Sequence, residues 1–251
     1  SEEVGNYPDF SASFDSDSVT VTYSSAILDS TAAATLLAGG TDVVIPSTYN
    51  SIGDGAFFDT GLTSITIPDS VTSIGDEAFS TCMSLTTITI GNSVKTIGVE
   101  AFYLCNSLSS VTIGNSVTSI GNGAFMGCSS LISVIIPDLV TSIDNGAFIG
   151  CSSLTSVTIG NSVKTIGNGA FSNTGLTSVT IPDSVTTIGD YAFRYTQLSS
   201  VVIPDSVTTI GAGIFTGTPL TTVTIGSPSI GDGAFNGLSS LTSVTMTSTV
   251  T

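Results

Sequence analysis

A mainly β solenoid is the fold this sequence predicts, and three observations predict it. From Leu62 to Thr251 the chain repeats one phrase of about 23 residues, of the form LTSVTIPDSVTSIGDGAFSGCSS. Within each copy apolar and polar residues alternate over a short stretch, and each copy closes on turn-forming residues. A fixed period of this length marks a unit that cannot bury its apolar face alone, so stability comes from stacking neighbours. Copies begin at Leu62, Leu85, Leu108, Leu131, Leu154, Leu176, Leu198 and Leu220, with a degenerate first copy near Gly40 and a partial last one at Leu241. This division predicts an N-terminal cap over 1–39 and a solenoid over 40–251, with about nine coils of 21–23 residues.

In the cap, Ser18-Val19-Thr20-Val21-Thr22-Tyr23 alternates as a strand. Residues 29–38 read as a short helix capped by Asp29 or Ser30 and stopped by Gly39-Gly40. A cover is expected there because an open solenoid end exposes apolar side chains and unpaired strand edges. The stretch Thr245 to Thr251 shows no comparable cap, as expected of an array cut in mid-course or of a strand left for further stacking.

Each coil opens on a strand. In Leu62-Thr63-Ser64-Ile65-Thr66-Ile67 the isoleucines point one way and Ser64 and Thr66 the other. Pro-Asp at 68, 137, 182 and 204, or Gly-Asn at 91, 114 and 160, ends that strand. A second extended piece follows, with Val71 and Ile74 apolar and Thr72 and Ser73 polar; Gly75 then permits a bend. Asp76-Glu77-Ala78-Phe79 closes the coil as a turn or short helical segment with Ala and Phe turned inward. Stacking at about 4.8 Å turns every position into a column of like residues. Ile67 to Ile225 form one column and Ile74 to Ile230 another. Phe57, Phe79, Phe102, Phe125, Phe148, Phe171, Phe193, Phe215 and Phe235 form an aromatic core spine.

The recurring phrases SVTIPDSVTSIGDGAF and CSSLTSV resemble the BspA-like, or Treponema pallidum type, class of leucine-rich repeats. The resemblance covers residues 40 to 251, with the leucine, both isoleucines, the glycine and the Ala-Phe pair in register. Asp144 departs from the bend glycine, Ile214 from the alanine and Leu139 from the serine after Pro-Asp. The resemblance implies a right-handed, gently curved solenoid with one parallel sheet face. It also implies a surface protein of bacteria or protists, in a class some of whose members bind matrix proteins or other cells.

Composition bounds the partners. Three basic residues, Lys95, Lys164 and Arg194, face 19 acidic ones for a formal charge of -16, which repels nucleic acid and anionic lipid surfaces. No apolar run reaches the ~18 residues of a membrane span, so no membrane insertion is expected. The Ser, Thr, Gly and Asp content and scarce lysine resemble exported proteins, and Ser1 stands where a removed signal peptide or a trimmed end would leave it. No Asn-x-Ser/Thr sequon occurs. An extracellular or cell-surface location follows as the expectation.

The chain has no histidine, hence no Ser-His pair, and its Gly-Asp-Gly and Gly-Asn-Gly runs are repeat turns rather than phosphate loops. The carboxylates recur at fixed turn positions, Asp69, Asp138, Asp183 and Asp205 at one, Asp54, Asp76, Asp190 and Asp232 at another. This is turn chemistry rather than a catalytic pair. A dedicated calcium site is not indicated, because Asn and Val interrupt both columns. Cys82, Cys105, Cys128 and Cys151 occupy one column, with parallel Cβ vectors ill suited to disulfides and a spread over about 15 Å ill suited to a metal. They read as reduced, buried thiols. No enzyme activity, cofactor or metal is expected.

What remains is the polar strand face. Its outward positions are Ser64, Thr66, Thr87, Thr89, Ser110, Thr112, Ser133, Ile135, Ser156, Thr158, Ser178, Thr180, Ser200, Val202, Thr222, Thr224, Ser243 and Thr245. These form a flat, uncharged hydroxyl ladder that β-propensity alone would also favour. As function, the first expectation is adhesion or recognition of a protein or glycan through this face. The second is ice binding, since hydroxyls about 6.7 Å apart along a strand and about 4.8 Å apart across coils approximate an ice lattice. The third is end-to-end self-association into filaments through the terminal strand at 244–250.

Overall fold

The computed structural model describes residues 10–15, 18–23, 26–226, 230 and 233–247. Asp232 and residues 248–251 of the terminal segment lie outside these. An antiparallel hairpin, Phe10–Asp15 with Ser18–Tyr23, precedes a helix at Ser30–Leu37. Asp29 caps that helix by accepting the Ala32 amide at 2.9 Å, which satisfies one of the donors every helix start leaves open.

The coils that follow build two parallel ladders. The front ladder stacks Asp42–Val44, Ser64–Ile67, Thr87–Ile90, Ser110–Thr112, Ser133–Ile135 and Ser156–Thr158, and a separate piece stacks Ser200–Ile203, Thr222–Ile225 and Ser243–Met246. The side ladder consists of nine two-residue strands in unbroken succession, from Ile27–Leu28 through Ser51–Ile52 to Thr209–Ile210. It begins inside the segment read as a cap. The Ser/Thr-Ile pairs of this ladder are the second extended piece of the repeat, and residue pairs such as Ser73↔Thr96 and Ile74↔Ile97 keep strict register.

The third side of each coil is a turn whose backbone also bonds to its neighbour. The Phe79 amide donates to the Ala101 carbonyl at 2.7 Å and Phe125 to Ala147 at 2.8 Å. The Ala-Phe pairs thus point inward as the pattern predicts, and the rings of Phe57 to Phe235 stack face to face. Centroids lie 5.0 to 5.4 Å apart as far as Phe171, then widen to 6.3 Å between Phe215 and Phe235. Leu, Val, Ile, Ala, Phe and Cys columns form one continuous core. Ile230, read into the second isoleucine column, is instead exposed.

The bend glycines serve a different purpose from the one their position suggests. Gly75, Gly98 and Gly121 do not adopt positive φ; that demand falls two residues later, on Glu77, Glu100 and Gly123, with φ of 54°, 53° and 61°. The bend glycines allow close approach instead. A Cβ at Gly98 would lie 2.5 Å from both the Gly75 carbonyl carbon and oxygen and 2.6 Å from the Asp76 nitrogen. These are backbone atoms, fixed by the side ladder, so Gly98→Ala is expected to cost roughly 1–3 kcal/mol, seen as a lower urea midpoint. An unchanged midpoint would mean that the coils slide apart freely. Asp144 occupies this column naturally, and the Ser142 hydroxyl donates to its carboxylate.

The cysteines are free and buried, as their column spacing predicts. Each thiol donates to the phenylalanine carbonyl of the preceding coil: Cys105 to Phe79 at 3.1 Å, Cys128 to Phe102 at 3.2 Å and Cys151 to Phe125 at 3.1 Å. Where coils lose one residue, Thr174, Thr196 and Thr218 donate to the phenylalanine of their own coil at 2.8 to 3.0 Å. The Cys to Thr switch therefore accompanies the shorter turn, because the hydroxyl reaches a nearer carbonyl. Burial pushes all four thiols up, Cys105 and Cys128 well above the ordinary cysteine range and Cys151 to about 12. Among the described residues no cluster of side chains could hold a metal ion.

Candidate functional site

The hydroxyls of the front ladder fall into two sets. Those one residue before each strand are tied to the preceding coil: Thr63 donates to the Thr41 carbonyl at 3.0 Å, Thr86 to Thr63 at 3.0 Å, Ser109 to Thr86 at 3.2 Å and Thr221 to Ser199 at 3.1 Å. They act as structural clamps between coils. The outward strand hydroxyls differ. Ser64 donates to the Asp42 carboxylate, while Thr66, Thr87, Thr89, Ser110, Thr112, Ser133, Ser156, Thr158, Thr222 and Thr224 hold no side-chain hydrogen bond within the described residues. Register aligns them, with Thr66↔Thr89, Thr89↔Thr112 and Ser133↔Ser156 directly opposed. Ile135, 68% exposed, and Val202, 61% exposed, interrupt the hydroxyls, and Val44 extends the apolar contacts at 80%.

No cation belongs to this face. Lys95 and Lys164 precede side-ladder strands, and Arg194 lies on the turn stack, its guanidinium 4.4 Å from the Tyr195 ring centre and 5.4 Å from that of Tyr191. Along the turn edge of the front ladder stand the exposed carboxylates Asp69, Asp138, Asp183 and Asp205.

One part of the predicted face does not form. Residues 178–180, expected as a strand carrying Ser178 and Thr180, pair with neither Ser156–Thr158 nor Ser200–Ile203, so the front sheet is interrupted. In the inward column from Val43 to Val223 only Val157 and Val179 are incompletely buried, which places the opening on both sides of this coil. The physical cause lies in the turn that ends each front strand. A glycine there lets the coil close: a Cβ at Gly91 would meet the Ile67 carbonyl oxygen at 2.7 Å and the Pro68 carbonyl carbon at 2.9 Å. Proline carries that Cβ and a ring besides, and it has no N–H to donate.

The pairing follows this difference. Coils ending in Gly91, Gly114, Gly160 and Gly226 keep three or four paired residues with the coil before. The coil of Pro137 keeps only Ser110↔Ser133, and those of Pro182 and Pro204 keep none. Pro68 retains three pairs, which proline alone does not explain. A second set of bonds obeys the same rule. The Asp69 carboxylate accepts the Asn92 amide at 2.7 Å, the Asn92 side chain accepts Asn115 at 3.2 Å and Asp138 accepts Asn161 at 2.9 Å. Each of these bonds enters a glycine coil. None enters the proline coils at Asp138, Asp183 or Asp205 within the described residues.

Between 178–181 and 200–204 the opening forms a cleft of about 300 Å³. Val179, Thr180 and Asp183 line one wall, and Ser200, Val202 and Pro204 the other. Alternation read one coil at a time cannot reveal it, and the successive prolines at 182 and 204 do not mark it alone, since Pro46 and Pro68 also follow one another and their strands keep three pairs.

The profile of the BspA type leucine rich repeat region matches residues 39–151 and 118–242, in six copies. Among solved structures, a leucine-rich repeat protein from Bacteroides ovatus is 28% identical with a TM-score of 0.68, over 97% of this chain and 76% of that one. The leucine-rich repeat protein of T. pallidum is 25% identical with a TM-score of 0.56, over 86% and 89%. A leucine rich cell surface protein from Faecalibacterium prausnitzii, 24% identical with a TM-score of 0.58 over 97% and 95%, shares the fold. A comparison with curated proteins finds no match.

Proposed function

We propose, from the premise that this chain belongs to the BspA-type leucine-rich repeat family, that it is a non-enzymatic binding protein of the cell surface or extracellular space. It recognises a protein or glycan through the exposed face of its front ladder. The observation that carries this reading is the sorting of the hydroxyls. Clamp hydroxyls such as Thr86 are committed to the fold, whereas Thr89, Thr112 and Thr158 extend outward with donors and acceptors left for a ligand. Apolar contacts at Val44, Ile135 and Val202 give the face the mixed character of a recognition surface. Surface placement rests on family membership and on the acidic, lysine-poor composition, and no described helix is long and apolar enough to cross a membrane.

The interruptions at Ile135, Val202 and 178–181 favour this reading over ice binding, which needs an unbroken regular array. The test is binding to a glycan array and to a panel of immobilised extracellular-matrix proteins, comparing the native chain with a Thr112→Arg/Thr158→Arg variant. The expected result is a retained ligand whose affinity drops at least about tenfold in the variant, with unchanged thermal unfolding. A ligand bound equally by both proteins, or none retained, overturns it; thermal hysteresis of the native chain would restore ice binding in its place.

A further inference from the structure

We propose that the cleft between 178–181 and 200–204 binds an extended peptide segment, which completes the interrupted front sheet as an added strand and pairs a basic residue with Asp183. The proposal rests on the strand-face reading and names a partner class for one part of that face.

The chemistry of the walls selects a polypeptide. Residues 178–181 make no backbone hydrogen bond to either neighbouring coil, and Ser200–Ile203 pairs only toward Thr222–Ile225, leaving its other edge open. What such an edge lacks is a row of alternating N–H and C=O groups at strand spacing, which an extended peptide backbone supplies and a sugar ring does not. Val179 and Val202 offer contact to branched or small side chains, and Ser200 and Thr180 offer hydroxyls at the rim.

Charge adds direction. Asp69 and Asp138 commit their carboxylates to the amides of the next coil, but Asp183 makes no hydrogen bond within the described residues, because the coil that should supply its partner ends in Pro204. Its carboxylate is exposed at the cleft on a face that holds no cation, so a Lys or Arg of the incoming segment is the complementary group.

The opening is built into the array. The side ladder and the turn stack run through this coil unbroken: Thr165↔Thr187 and Thr187↔Thr209 stay paired, and the Phe171 amide still donates to Ala192 at 2.8 Å. Only the front side is released, in the coils that end in Pro182 and Pro204. The remainder of the coil holds the walls in place, so binding need not first unfold the site.

Two measurements test the proposal. In hydrogen exchange on the free protein, the amides of 178–181 should exchange at least about a hundredfold faster than those of 134–136. Protection equal to that of 134–136 would overturn the proposal, because the strand would then be paired in solution. Next, a displayed library of short linear peptides is selected on the full chain and the enriched peptides are synthesised. Expected are peptides with branched residues beside a Lys or Arg, whose binding is lost on proline substitution within the peptide. Their affinity should fall at least about tenfold in Pro182→Gly/Pro204→Gly, which lets the sheet close, and in Val202→Trp, which fills the cleft from an exposed position. Asp183→Asn should lower the affinity of basic peptides alone. Failure to enrich such peptides, or equal binding by the closed and filled variants, overturns the cleft. Thr112→Arg/Thr158→Arg should leave peptide binding intact, so the wider strand-face reading fails or survives by its own assay.

Discussion

Replacing Phe125 with alanine should lower the free energy of unfolding by about 3–5 kcal/mol, the range for large-to-small changes in a well-packed core. The ring lies fully buried between Phe102, 5.0 Å away, and Phe148, 5.3 Å away, and both neighbours are themselves gripped on their far sides. The site therefore has little freedom to collapse. Because stability in a repeat array is a sum of coil and interface terms, the loss falls on two interfaces at once and should separate the array's unfolding into two steps in urea. Phe125→Leu, which keeps most of the volume, should cost far less. A loss below about 1 kcal/mol for the alanine variant would mean that the ring column is not the spine of the core.

The second large effect is alkaline. Thiols at Cys82, Cys105, Cys128 and Cys151 are held neutral by burial, so their folded pKa values lie above the unfolded value of 9.0, at about 12 for Cys151. A folded pKa raised in this way contributes stability that is fully present below about pH 9 and is lost as pH rises from there toward about 12. At about pH 10 the loss is about 1.4 kcal/mol for each thiol whose folded pKa stays well above that pH, as those of Cys105, Cys128 and Cys151 do. Urea midpoints measured from about pH 8 to about pH 10.5 should fall steeply in the native chain and much less in a variant with all four cysteines replaced by alanine. Equal slopes in the two proteins would assign the effect to tyrosines or to net charge.

The core was legible in the sequence because stacking repeats each environment: a residue such as Phe79 or Leu85 is read correctly once, then again in coil after coil. The strand face was legible for the same reason from Ser64 to Thr158. What escaped were properties that belong to the contact between coils rather than to a coil. Gly98 looks like a flexible bend until the carbonyl of Gly75 is seen beneath it, and Thr86 and Thr87 look equivalent until the Thr63 carbonyl shows that one is committed. Ser178 and Thr180 fit the repeat as well as Ser156 and Thr158 do, yet the proline column separates their strand from both neighbours. Backbone clearance between successive coils leaves only a faint mark in sequence, the order in which proline and glycine follow each other.

The uniformity of the phenylalanine column has a kinetic consequence for the nascent chain. Pairing a coil with its next-but-one neighbour in place of its nearest doubles the loop to be closed, which adds only about 0.6 kcal/mol of closure entropy. The packing within such a pair would be nearly the same as in the native one, since one ring stack 5.1 Å apart resembles any other. Skipped-coil traps are thus almost as accessible early in folding as the native order. The irregular positions are what penalise them: Asp144 among the bend glycines, Ile214 among the alanines, and the boundary where Cys151 gives way to Thr174. These departures from the repeat serve as alignment marks, and erasing them should slow folding more than it alters stability.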